Sequence, residues 1–148
     1  MISRMLKVIA LTVAMSAAMV WTANADAIKT RKGLMKWNGA SMGVLVMMAK
    51  GELAFDAAKA KTALESMNLV ATGYESHFPA GSDMGGETTA SPKIWTDMDG
   101  FKKAAAKFAA DASAAVGPAS ADLAGLRASL GSVGSNCKGC HEAFRVKK

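Results

Sequence analysis

Leu123, Leu126, Leu130, Val133, Cys137, Cys140 and Phe144 follow one another at alternating steps of three and four. That spacing lines residues along one stripe of an α-helix packed in a bundle. Two members of the stripe are cysteines, and they open the string Cys137-Lys138-Gly139-Cys140-His141, the C-x-x-C-H pattern of covalent haem attachment. The spacing has a chemical reason: two thiols three residues apart share one side of a helical turn, where they can add to two vinyl groups along one haem edge. The next residue then offers an imidazole to the iron. His141, four residues after Cys137, lies on nearly the same face. Both thiols face the core, so the haem must form an interior wall of a helical assembly.

Other uses of two cysteines ask for different surroundings. A thioredoxin-like dithiol sits near a strand-helix-strand unit, and the chain has no β-branched alternating runs to build one. A structural zinc site needs four Cys or His ligands, and the one other histidine is the distant His77. A plain disulfide would not require the following His, though nothing in the sequence forbids it.

The first residues bear on where haem is attached. Arg4 and Lys7 precede an apolar run over residues 8–20, followed by Ala23-Asn24-Ala25, a secretory cleavage pattern. The run is shorter than the roughly 20 apolar residues of a membrane span. Residues 1–25 therefore read as a signal peptide cut near Ala25 or Ala27, leaving one domain, 26–148, too short for two cores. Bacterial export of this kind places a c-type haem protein in the periplasm. Subtracting Arg4 and Lys7 from the formal charge of +6 leaves +4, and two haem propionates would lower it to about +2. So small and scattered a charge gives no nucleic-acid stripe. No paired carboxylates or His-carboxylate set marks a catalytic pocket, so no enzyme is expected.

Behind the leader, Ala, Lys, Met and Leu dominate, and the pattern breaks where Gly, Pro and Ser gather. Helices are predicted over 28–49, 53–70, 92–116 and 120–145. Ser91-Pro92 is an opening signal for the third, Gly117-Pro118 a stop, and Ser120 a cap for the fourth. Residues 42–49 carry no charge, which suggests a second buried face on the first helix, either a homodimer interface or methionines filling an irregular core. The long segment 71–91 is expected to lie across something. Phe78 is its candidate for contact with the porphyrin.

Four helices with C-x-x-C-H in the last one resemble the class II c-type cytochromes, the cytochrome c′ group, which are antiparallel four-helix bundles. The shared marks are Leu34-Met35-Lys36 with Asn38-Gly39, Lys50-Gly51-Glu52, Ser91-Pro92-Lys93-Ile94-Trp95, and residues 137–145 ending in Cys140-His141-Glu142-Ala143-Phe144-Arg145. The resemblance covers essentially all of 26–148. It implies one covalent haem c on Cys137 and Cys140, with His141 as proximal iron ligand.

The family divides on what faces the other side of the iron. In cytochrome c′ proper a non-ligating side chain stands there and the iron is five-coordinate, whereas in a low-spin branch a Met of the first helix binds. Met35 falls at that position, and its neighbours look more like the low-spin branch. The resemblance thus implies a six-coordinate His/Met electron carrier serving periplasmic or membrane-bound redox proteins. The alternative it leaves open is a five-coordinate protein binding NO or CO. It also places Arg31 where an Arg reaches a haem propionate and Arg145 beside the proximal ligand, while offering His77 no role.

Overall fold

The computed structural model describes the backbone of residues 2–84 and 86–147 and the side chains of 24–84 and 86–147. Four long helices form it: α1 (Ile2–Lys50), α2 (Ala57–Ala71), α4 (Met98–Ala121) and α5 (Leu123–Phe144). A single turn, α3 (Lys93–Thr96), precedes α4, and a 3-10 turn, Tyr74–His77, follows α2. Among the described residues no strand occurs. α2 packs on α4, α4 on α5, and α1 on both α2 and α5, which closes the antiparallel bundle.

The expected start at residue 28 is not a boundary, because α1 runs unbroken from Ile2. Its first Gly or Pro is Gly33, so nothing interrupts it earlier. The expected leader, 1–25, lies almost wholly on residues whose side chains are outside those described. No helix among the described residues is long and apolar enough to cross a membrane. α1 stops at Gly51, whose φ of 81° belongs to the left-handed region that glycine adopts without strain.

α2 begins later than predicted because Asp56 caps it, its carboxylate accepting from the Lys59 N–H at 3.0 Å. The predicted third helix is divided. Asp97, at φ −135° and ψ 56°, ends α3 and caps α4 through the Gly100 N–H.

Gly117-Pro118 does not end α4, which continues to Ala121 with Pro118 inside it. Ser120 is not the cap of the last helix either. Its hydroxyl donates back to the Val116 carbonyl at 2.6 Å, and Asp122 caps α5, accepting from the Gly125 N–H at 2.7 Å. The corner is so tight that a Cβ on Gly125 would stand 2.1 Å from the Pro118 carbonyl oxygen. A glycine is required there for space alone.

One apolar cluster gathers Leu45, Met48, Leu64, Met67, Leu126 and Val133 from all four long helices except α4, which adds Ala112, Ala115 and Ala119. The small residues of α4 let its neighbours approach closely. Burying a side chain such as Leu126, which is 0% exposed, stabilises the fold by roughly 1.5–3 kcal/mol. A second cluster is aromatic: Tyr74, Phe78, Phe101 and Phe144, with Ile94. Phe101 meets Phe78 edge-on at 4.7 Å and Phe144 at 5.3 Å.

Two ties set the register of α1 against α5. At one end the Arg127 Nε–H donates to the Ala49 carbonyl at 2.8 Å. At the other, Arg31 and Arg145 both reach neighbouring threonines of the 72–92 segment, Thr88 and Thr89. Ala49 and Arg31 are 18 residues apart, as are Arg127 and Arg145, so the helices run antiparallel in step. Met35, four residues after Arg31, therefore falls level with His141, four residues before Arg145.

Candidate functional site

Along α1 the residues Arg31, Met35, Asn38 and Met42 recur at steps of three and four, and all four line one cavity of about 930 Å³. Cys137, Cys140 and His141 of α5 line the same cavity, as do Phe78, Tyr74, Phe101, Phe108 and Met67. The structure brings together every candidate site residue of the sequence; His77, which ends the 3-10 turn, does not line the cavity and enters only through its carbonyl.

The two thiols are free and half-buried. Burial pushes the Cys137 thiol up, and burial followed by the neighbouring Cys137 does the same to Cys140. Burial, then the charge of Arg145, holds the His141 imidazole below its usual value. The neutral ring is the form that offers a nitrogen lone pair to a metal.

Asn136, immediately before the motif, anchors this part of α5. Its Nδ2–H donates to Asp111 Oδ2 of α4 at 2.7 Å and to the Ser132 carbonyl at 2.9 Å. The Asp111 carboxylate also pairs with Lys107. Asn136 first and Lys107 second hold Asp111 below the ordinary carboxylate range. A depressed acid stabilises the fold above its unfolded value, and this support is lost as pH falls through the folded value.

Arg31 is 3% exposed and has no carboxylate partner among the described residues. Its guanidinium donates instead to the Ser82 Oγ at 2.9 Å, the Ser82 carbonyl at 2.7 Å, the Thr88 Oγ1 at 3.0 Å and the His77 carbonyl at 3.4 Å. It also lies 4.7 Å over the Phe78 ring. Burial lowers its pKa, with Tyr74 and Asp83 opposing. The Tyr74 hydroxyl donates to the Arg31 carbonyl at 3.1 Å, and burial raises its pKa.

Arg31 thus fastens the 72–92 segment over the cavity, and the C-terminal end of the chain fastens it from the other side. The Ser91 N–H donates to the Phe144 carbonyl at 3.0 Å, the Val146 N–H to the Thr89 carbonyl at 2.9 Å, and the Arg145 Nε–H to Thr89 Oγ1 at 3.2 Å. The Trp95 Nε1–H adds a bond to the Pro79 carbonyl at 3.0 Å. Phe78, 6% exposed, is held against the cavity by these ties. Neither threonine was visible as functional from sequence, since nothing in Thr88-Thr89 marks it as the meeting point of two arginines.

Asn38 was also missed as a site residue. It is 8% exposed, lines the cavity, and both its Nδ2 and Oδ1 lack partners among the described residues. Leaving a buried amide unpaired costs about 1–3 kcal/mol. Its place on the Arg31–Met35–Met42 stripe was the available signal.

Residues 26–145 match the family model described as Cytochrome C′. The chain belongs to the cytochrome c′ family. It is 39% identical over 124 residues to a cytochrome c-556 of Agrobacterium fabrum, covering 84% of each chain. A solved cytochrome c′ from Rhodopseudomonas palustris superposes with a TM-score of 0.79 at 41% identity, over 83% of this chain and 98% of that one. The nitric oxide complex of a mutant cytochrome c prime from Alcaligenes xylosoxidans gives 0.73 at 32% identity, over 84% and 97%. The chain is accordingly a class II c-type cytochrome, a haem protein of the electron-transfer or gas-binding kind.

The cofactor of this cytochrome is covalently attached haem c, and the cavity suits it on two counts. Apolar side chains wall its interior, while Arg31, Lys32, Lys36 and Arg145 line it with Glu87 as the one carboxylate, an excess of positive charge that matches two propionates.

The fastening role of Arg31 predicts a local effect. In Arg31→Met, hydrogen exchange at the Ser91 and Val146 amides should quicken on the order of tenfold or more, reflecting the loss of about 1–3 kcal/mol when buried acceptors lose a donor. Unchanged exchange at both amides would show that the segment is held without Arg31.

Proposed function

We propose that this cytochrome is a periplasmic protein that binds a small uncharged gas such as NO or CO. In this reading Cys137 and Cys140 hold one haem c by thioether bonds and His141 is its proximal ligand, while Met35 covers the far face as a wall. The haem, when bound, supplies an iron that takes up a diatomic ligand. The chain's own residues favour the neutral form of His141, wall the cavity with the aromatic cluster, and cover it with the Arg31-held segment.

The observation that carries the reading is the seat of Met35. It is half-buried and packs against the aromatic cluster, as a methionine does when it fills a wall. The solved relatives named above, both cytochromes c′ and one in complex with nitric oxide, support the same reading.

A six-coordinate His/Met electron carrier, placed first on sequence, is the second reading. Its support is the register that sets Met35 level with His141 on the opposite wall. A carrier of this kind would dock briefly with periplasmic or membrane-bound redox proteins. Absorption spectra of the reduced holoprotein with and without CO, for the wild type and Met35→Ala, separate the two. Gas binding predicts prompt CO uptake by the wild type, altered by no more than about tenfold in the variant. A wild type inert to CO beside a reactive variant would make Met35 a ligand and the protein an electron carrier.

A homodimer through the first helices is also proposed, on a groove other than the uncharged stretch 42–49 to which the sequence pointed. Trp37 and Leu69, 62% and 75% exposed, share a groove between α1 and α2 with Leu34 and Val70. Asp26 and Lys29 line the same groove, so a two-fold copy can set each acid against the other's base. Sedimentation should give a dimer at micromolar concentration that dissociates in Leu69→Lys. A wild-type monomer would contradict it.

A further inference from the structure

Basic groups that look scattered in the sequence are sorted by the fold. Around the end where α1 turns into α2, the lysines have counterions of their own: Lys50 pairs with Glu52, Lys59 with Asp56 and Lys61 with Glu65. Around the mouth of the cavity they do not. Lys32, Lys36 and Arg145 line it and are exposed. Lys93 stands 5.4 Å over the ring of Phe144, another lining residue, and the exposed Lys147 follows two residues after Arg145. None of these five forms an ion pair among the described residues, and the one carboxylate lining the cavity is Glu87. Of the neighbouring acids, Glu142 is taken by Lys138, and Asp83 stands beside Arg31. Even with two propionates in place, the rim stays positive.

Three of the cations are also held in position. Lys32 Nζ donates to the Glu87 carbonyl at 3.2 Å, the Arg145 Nε–H to Thr89 Oγ1 at 3.2 Å, and Lys93 is seated on Phe144. Glu87 and Thr89 belong to one segment, so these cations share one continuous rim. Like charges set side by side without counterions repel one another. Fixed at the entrance to the haem cavity, they fit an anionic surface brought from outside.

We propose that this rim is the docking face for an acidic electron-transfer protein, one whose carboxylates surround its own redox group. The partner is a one-electron donor: it is oxidised, the ferric iron is reduced to ferrous, and no bond forms or breaks. Such docking serves either functional reading and goes beyond both, because CO is taken up by ferrous iron and a carrier must be reduced before it can deliver. Complementary charge acts chiefly on the rate of encounter and on orientation. It brings the partner to the cavity rather than to the neutralised far end.

The probe is an acidic flavodoxin in its hydroquinone form, mixed with the oxidised holoprotein while haem reduction is followed by stopped-flow absorption. Raising salt from about 0.01 M to about 1 M shortens the screening length from about 30 Å to about 3 Å. The second-order rate constant of the wild type should then fall about tenfold or more, a measurement that needs no variant to fold. At low salt, Lys93→Glu and Lys147→Glu should each slow reduction about threefold or more. Lys61→Glu changes the net charge equally at the far end and should stay within about twofold of wild type. A small uncharged reductant should reduce all four proteins alike, which shows the haem equally accessible in each. A rate indifferent to salt, or one slowed as much by Lys61→Glu as by Lys93→Glu, would overturn the proposal. Binding to phosphatidylglycerol vesicles that is lost in Lys93→Glu, with reduction by the flavodoxin unchanged in that variant, would assign the rim to a membrane and overturn it as well.

Discussion

The antiparallel pairing of α1 with α5 is the constraint on which the site depends. Fixed by Arg127 on Ala49 at one end and by Arg31 and Arg145 on adjacent threonines at the other, it decides which residue of α1 opposes each residue of the C-x-x-C-H turn. A slip of one residue would rotate the α1 stripe by about 100° and carry Met35 and Asn38 off the cavity wall. The chemistry available to His141 is therefore set by contacts up to about four turns away.

Buried polar groups in this bundle serve position rather than gross stability. A guanidinium as buried as Arg31 is costly unless its donors are met, and here they are met by the segment that closes the cavity. Removing the cation would free that segment and uncover Phe78, so the same interaction both solvates the charge and shapes the site. Asn136 acts similarly on α5, joining the residue before Cys137 to α4 through Asp111. These networks are satisfied. The carboxamide of Asn38 is the exception, buried without a partner among the described residues.

The α5 stripe and its haem motif could be read from sequence because periodicity and chemistry coincide there: Leu126, Val133 and Phe144 are buried, and both cysteines line the cavity. The all-α bundle was legible for the same reason. Local punctuation was less so. Gly117-Pro118 resembles a stop, yet α4 runs through it because Ser120 bonds backward and Asp122 takes over the cap. Asp97 splits the third helix although its neighbours continue the apolar stripe across the break. The tie between Arg31 and Thr88 spans 57 residues of sequence, and no local pattern encodes a contact of that range. The length of the 72–92 segment announced that it covers something. What holds it down became visible only with the tertiary structure.

The central claim is that the cavity between α1 and α5 exists to hold one haem on the α5 cysteines. The most direct measurement is mass spectrometry of the protein as purified from a host that attaches haem c, before and after acid-acetone extraction and proteolysis. The account predicts one haem per chain that resists extraction and remains on the fragment containing Cys137, Cys140 and His141. A fragment with free thiols or a Cys137–Cys140 disulfide, and haem that is absent or extracted, would contradict it.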